Sequence, residues 1–236
     1  MKNNQIYQQL EAGMLRYVDL IDVPSIDNGE CMVKIRSNKR LLINPIDSDM
    51  SKYTGSNIYV RKTVEEKLRR VSIKLKNYDK NYSLEIVYGY RSLEIQRKLF
   101  DKFRNKYRKS YSGIELLEVV HRNVAVPKIS GHPTGGAIAL QIVENGNPLD
   151  FGTRIWEFCK DSYSLSPFVS TTAVRNRMLL RELMISEGFA PFDGEWWHFS
   201  YGDREWAAFY KKSSAIYKQI DFVSSITSLK GKIFDG

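Results

Sequence analysis

Only three histidines occur in the chain, His121, His132 and His198, so a site built on several imidazoles has almost no choice of members. His132 lies in SGHPTGGAIAL, a Pro- and Gly-rich turn that enters a strand-like run, which is how a metal ligand is commonly held at a strand mouth. His198 lies in GEWWHF, with Glu195 three residues before it. Imidazole binds Zn²⁺, and a nearby carboxylate takes a proton from metal-bound water and later passes it to a leaving amine. On an extended segment residues three apart point to opposite faces, so a bulge or twist must bring Glu195 and His198 to one pocket. Either histidine alone is better read as a core or surface residue. The combination is more specific, because GYRS with Arg91, SxHxxGxAI and EWWH follow one another in a single chain.

Several elements must position these residues. Leu84 to Tyr88 alternates like a strand and runs into Gly89-Tyr90-Arg91, after which Leu93, Phe100, Phe103 and Tyr107 mark a helical stripe. Arg91 therefore sits where a strand hands over to a helix. Residues 135–143 and 195–200 read as strands, and 173–188 as a helix stopped by Gly188. Upstream, 61–77 carries Val64, Leu68, Val71 and Leu75 at helical steps, with Thr63 and Glu66 as a capping box. Residues 31–44 read as a hairpin turning at Ser37-Asn38. Trp206, Phe209, Tyr210 and Tyr217 suggest a closing helix from Asp203 to Tyr217. Interspersed short strands and helices favour an α+β fold with a central, mostly antiparallel sheet flanked by helices.

The composition excludes other classes. With 42% hydrophobic and 27% charged residues in a chain of 236, disorder and coiled-coil arrays are ruled out, and no period of about 20 to 50 residues marks a solenoid. No stretch reaches the roughly 18 to 20 apolar residues of a membrane span, and the N-terminus lacks a secretory h-region, so a cytoplasmic protein without membrane partners is expected. Thirty-six Lys and Arg against 27 Asp and Glu give +9. The cationic RNKYRK run, 104–109, reads as a solvated helix end, and no nucleic-acid-binding signature accompanies the charge, so no nucleic acid is expected. Cys31 and Cys159, far apart and without CxxC spacing, read as reduced, semi-buried thiols.

These motifs resemble the VanX-type D-alanyl-D-alanine dipeptidases, zinc peptidases whose fold is shared with D,D-carboxypeptidases and the hedgehog signalling domain. The resemblance runs from IYVRKTVEEKL through GYRSLEIQRKLF, SGHPTGGAIAL, LDFGTRIWEF and RNRMLLRELMISEGF to GEWWHFSYGDREW. It implies a peptidase domain over 59–212, N-terminal strands and helix packed on it over 1–58, and a peripheral tail over 213–236. It makes His132 and His198 ligands of a zinc ion and Glu195 the general base and acid. It makes Arg91 the cation that stabilises the oxyanion, and Ser130 a polar contact to a small dipeptide or amino-acid-like substrate. Trp196 and Trp197 then wall the pocket or the core.

Two positions depart from the pattern, and both are acids in the family. The third zinc ligand is an aspartate where this chain has Ala139, and an acidic residue that meets the substrate ammonium is replaced by Trp156. Catalytic zinc normally keeps three protein ligands and an open position, so two histidines should bind it weakly. Gln141, on the strand face of Ala139, is a neutral and poor replacement; Glu144 projects to the other face, and Glu157 could stand in for Trp156 only by a backbone slip. Three readings follow: an engineered knockout of a dipeptidase, a naturally remodelled enzyme for another small amino-acid-derived substrate, and a non-catalytic binding protein that keeps the pocket. The first two are weighed equally above the third.

Overall fold

The structure, a computed structural model, describes residues 2–47 and 49–226. The chain begins with helices α1 (Lys2–Gly13) and α2 (Tyr17–Leu20), followed by strands β1 (Met32–Lys34) and β2 (Leu41–Ile43). A single helical turn, α3 (Ser51–Thr54), precedes β3 (Tyr59–Arg61) and the long helix α4 (Lys62–Tyr78). Strand β4 (Tyr82–Tyr88) is followed by α5 (Leu93–Tyr107) and α6 (Gly113–His121). A 3-10 turn, His132–Thr134, feeds β5 (Ala137–Glu144), which turns back into β6 (Asn147–Pro148). Helix α7 (Thr171–Ser186), strands β7 (Ala190–Pro191) and β8 (His198–Ser200), and α8 (Arg204–Phe209) complete the order.

The main sheet runs β2-β4-β5-β8-β7, with β6 on the end of β5. Only the β2/β4 pair is parallel; β4/β5, β5/β6, β5/β8 and β7/β8 are antiparallel. The class is therefore α+β with a mostly antiparallel central sheet. β1 and β3 form a separate antiparallel ribbon.

Helix α4 forms because its apolar positions recur at three- and four-residue steps, and Val64, Leu68, Val71 and Leu75 are all fully buried. They join Leu84, Ile86, Ile138, Leu140 and Ile142 of β4 and β5 in the main core. Burying each such side chain stabilises the fold by about 1.5–3 kcal/mol relative to leaving it exposed. A second apolar cluster gathers Leu20, Phe100, Val120, Val124, Val126 and Ile129 around α5 and α6.

Several expectations need correction. Residues 31–44 are not a hairpin: Asn38 Oδ1 accepts from the Arg40 and Leu41 N–H groups, and this local turn sends β1 to pair with β3 and β2 with β4. The N-cap of α4 is Arg61 rather than Thr63. Thr63 instead donates its N–H and hydroxyl to the Glu30 carboxylate, so an acid distant in sequence satisfies the helix start. The closing helix spans only Arg204–Phe209, capped at its start by Asp203, whose Oδ1 accepts the Trp206 N–H at 2.9 Å. Beyond it Ala215 and Tyr217 are buried, and Ser25 bridges Ala215 in parallel; residues 227–236 lie outside the described part. Cys31 and Cys159 are free and exposed rather than semi-buried, because both lie in surface loops.

Candidate active site

A cavity of about 340 Å³ is lined by Arg91, Ser130, His132, Trp156, Glu195 and His198. The structure thus brings together all six residues singled out as ligands, acid, cation and substrate contacts. The cavity's walls come from both apolar clusters: Leu20, Phe103, Val124 and Ile129 on one hand, Trp156 and Phe158 on the other.

His132 is carried on the 3-10 turn before β5. Its Nδ1 donates to the Gly89 carbonyl at 2.7 Å, which fixes the tautomer and leaves Nε2 as the available lone pair. The turn is built on glycine: Gly135 has φ +75°, and a Cβ at Gly131 would collide with the Asp203 carboxylate. Burial, with Arg91 and His198 nearby, holds the His132 imidazole well below its ordinary pKa, so it is neutral at pH 7.

Glu195 and His198 share the cavity through a turn. Residues 195–197 are not strand; the His198 N–H donates to the Glu195 carbonyl at 3.0 Å, and β8 begins only at His198. The expected bulge is therefore a tight turn, which folds both side chains to one side. Burial pushes the Glu195 carboxyl up to about 7, with His198 and Arg91 opposing and Glu205 adding to the rise. The imidazoles of His132 and His198 lie edge to face, centroids 5.1 Å apart. Burial lowers the His198 pKa, but the Glu205 carboxylate, 3.6 Å from Nε2, outweighs it and the net shift is upward.

Arg91 is 5% exposed at the β4–α5 junction. Its Nε donates to the Tyr88 hydroxyl at 3.0 Å and its Nη1 to Gln96 Oε1 at 3.0 Å. The Asp49 carboxylate stands 3.8 Å away and accepts the Tyr88 hydroxyl proton at 2.6 Å. This chain of contacts fixes the guanidinium plane at the cavity wall. Ser130 is 2% exposed and lies two residues before His132.

Ala139 is fully buried, paired with His198 in the β5/β8 ladder and with Tyr88 across β4. Gln141 donates to Glu85 Oε2 at 2.6 Å and is absent from the cavity lining, while Glu144 is exposed. Among the described residues no three His, Cys, Asp or Glu side chains converge so as to hold a metal ion. The donor set is two imidazoles without a carboxylate at the third position, and it does not fit a three-ligand zinc centre. Trp156 takes left-handed backbone, φ +68°, and Glu157 turns away to accept the Arg154 N–H and line a separate groove. Trp196 and Trp197 are core residues.

Two cavity residues escaped the sequence reading. Glu205 stands in the first turn of α8, where an acid is ordinarily explained by the helix dipole. His121 ends α6, is 5% exposed, and has no partner on either ring nitrogen among the described residues. Its scarcity in the sequence was the available signal, but no motif accompanied it.

A family model described as D-ala-D-ala dipeptidase (Peptidase_M15) matches residues 38–218. A D-alanyl-D-alanine dipeptidase from Synechocystis is 24% identical over 241 residues, covering 86% of this chain and 95% of that protein. One from Escherichia coli is 42% identical over 71 residues, 30% of this chain and 37% of that protein. Among solved structures, a mutant of the vancomycin-resistance D,D-pentapeptidase VanY in complex with Zn(II) covers 89% of this chain and 99% of its own, at 15% identity and a TM-score of 0.43. A vancomycin-resistance D,D-dipeptidase with a D-Ala-D-Ala phosphinate analogue covers 91% and 74%, at 19% identity and a TM-score of 0.36. Since the family model spans well over half of the sequence, the chain belongs to the D-ala-D-ala dipeptidase family of peptidases.

Proposed function

We propose that this chain is a D,D-dipeptidase-type hydrolase for small D-Ala-D-Ala-like substrates, working in the cytoplasm, whose metal-supported activity is impaired by Ala139. The observation that carries this reading is that Arg91, Ser130, His132, Glu195 and His198 line one cavity while the residue facing His198 in the sheet is an alanine. Family membership supplies the reaction class. The resemblance implies a bound zinc ion, and the two histidines here would hold such an ion weakly.

What the chain's own residues do can be stated without the metal. Glu195 takes a proton from an attacking water and returns it to the leaving amine, a role that its buried carboxyl, raised to about 7, supports. Arg91 lines the cavity with its guanidinium held by Tyr88 and Gln96, so it can donate to the oxyanion that develops on the scissile carbonyl. Ser130 contributes a hydroxyl to substrate binding, and Trp156 forms a wall.

The experiment compares D-Ala release from D-Ala-D-Ala by this chain and by Ala139→Asp, each with zinc. Recovery of turnover in Ala139→Asp supports a dipeptidase disabled at one position. Zinc binding without turnover supports the second reading, a remodelled enzyme, which the strained Trp156 at a second lost acid favours. Neither binding nor turnover would overturn both and leave a binding protein.

A further inference from the structure

Behind the loop that carries Ser130 lies a further, smaller cavity with a basic lining. About 190 Å³ in volume, it is walled by Lys128, Arg204 and Lys218 together with Ser25, Ser130 and Gln219, and no Asp or Glu among the described residues takes part in the lining. The three cations come from segments far apart in sequence: the loop before His132, the first turn of α8, and the stretch after α8. Folding has gathered like charge around a concave site, which costs Coulomb energy unless an anion enters.

The walls are held in place by contacts of their own. Arg204 is anchored through Nη1, which donates to the Leu20 and Ile21 carbonyls at 3.2 and 2.5 Å. Gln219 Nε2 donates to the Pro127 and Ser130 carbonyls at 2.6 and 3.0 Å, and so ties the Lys128 loop to the Lys218 segment. The acids nearest in sequence are engaged elsewhere. Asp203 caps α8, takes the Ser200 hydroxyl and stands against Gly131, while Glu205 faces His198. Asp27 accepts the Lys218 backbone N–H and pairs with Arg61, and Asp221 accepts the Ser224 hydroxyl. The Ser25 hydroxyl is committed to the Tyr217 carbonyl, so a ligand here is met chiefly by positive charge.

That charge selects the ligand. A phosphate monoester carries about 1.5 to 2 negative charges at pH 7 and offers several strong acceptors, to which Arg and Lys are the usual donors; a lone carboxylate would leave most of the positive charge unmet. The volume is below the roughly 300 Å³ at which drug-sized ligands begin, so the ligand is small.

We propose that this cavity binds a phosphate group, as the free anion or as a small monoester, between Lys128, Arg204 and Lys218. Ile129 and Ser130 line both this cavity and the candidate active site, so the bound anion braces the loop that presents Ser130 to the larger cavity.

The test is calorimetric titration of the full chain with inorganic phosphate and with methyl phosphate at physiological ionic strength. One saturable site per chain is expected; tighter binding of inorganic phosphate assigns it to the free anion, and tighter binding of methyl phosphate to a monoester. The exposed pair Lys128→Gln and Lys218→Gln together should weaken binding about tenfold or more. Lys106→Gln with Lys109→Gln removes the same charge from the cationic 104–109 run and should leave binding unchanged. Hydrogen–deuterium exchange on the unaltered chain should show phosphate-dependent protection in 127–130 and 217–219, a reading that needs no variant to fold. No saturable binding in the millimolar range, an unchanged affinity in the Lys128/Lys218 variant, equal losses in the two double variants, or protection confined to other segments overturns the proposal.

Discussion

Ala139 stands directly opposite His198 in the antiparallel β5/β8 ladder, with Tyr88 opposite it on β4. The register shifts between Ile86 and Tyr88, and this irregularity is what sets the tyrosine at the alanine's side. A side chain at 139 is therefore a close neighbour of the His198 imidazole, and its methyl group offers no donor. Around this pair, Tyr88 braces Arg91 and Gly89 orients His132.

Arg91 should resist conservative replacement. Its Nε and Nη1 serve Tyr88 and Gln96 in one rigid plane, which a lysine ammonium cannot reproduce. In the Ala139→Asp background with zinc, Arg91→Lys should lower D-Ala release about 10²–10³-fold. An unchanged rate, measured on protein with a native circular dichroism spectrum, would show that the guanidinium does not face the reacting carbonyl.

Asp27 should make stability fall in acid. Burial raises its carboxyl, but the Lys218 and Gly29 N–H groups and the Arg61 guanidinium outweigh this, and the net shift is downward. The Arg61–Asp27 pair is 2.6 Å long, with Arg61 buried. A depressed carboxyl stabilises the fold fully above its unfolded pKa, near 3.9, and the contribution is lost as pH falls through the folded value. Urea unfolding of Asp27→Asn should therefore show its greatest deficit against the parent at neutral pH and a shrinking one below about pH 4. A deficit constant with pH would contradict the assignment.

Local patterns made some of this legible before any coordinates. The period of Val64, Leu68, Val71 and Leu75 is a property of α4 itself, and the strand-to-helix passage at Arg91 and the turn at His132 are marked by adjacent glycines. Pairings between distant segments were not legible. Leu41 to Ile43 find a parallel partner in β4 some forty residues on, so nearness in sequence wrongly suggested a hairpin with β1. EWWHFS has strand-like residues throughout, yet its first half is a turn closed by the His198 N–H on the Glu195 carbonyl, with Trp196 and Trp197 both packed into the main core. Glu205 reaches His198 only because a short helix follows β8, and no spacing rule announces a contact across that junction.

Leu68 tests the core that supports β4. It is fully buried in α4 against the sheet. Leu68→Ala should destabilise the fold by about 2–5 kcal/mol, read as a lower denaturation midpoint at an unchanged slope. A loss below about 1 kcal/mol would mean that α4 is not seated as described.

The central claim is that position 139 decides whether His132 and His198 hold zinc, and competition titration against a chromophoric chelator measures this directly. Ala139→Asp should bind one zinc per chain about 100-fold or more tighter than the protein with Ala139. Equal stoichiometry and equal affinity in the two proteins would contradict the account.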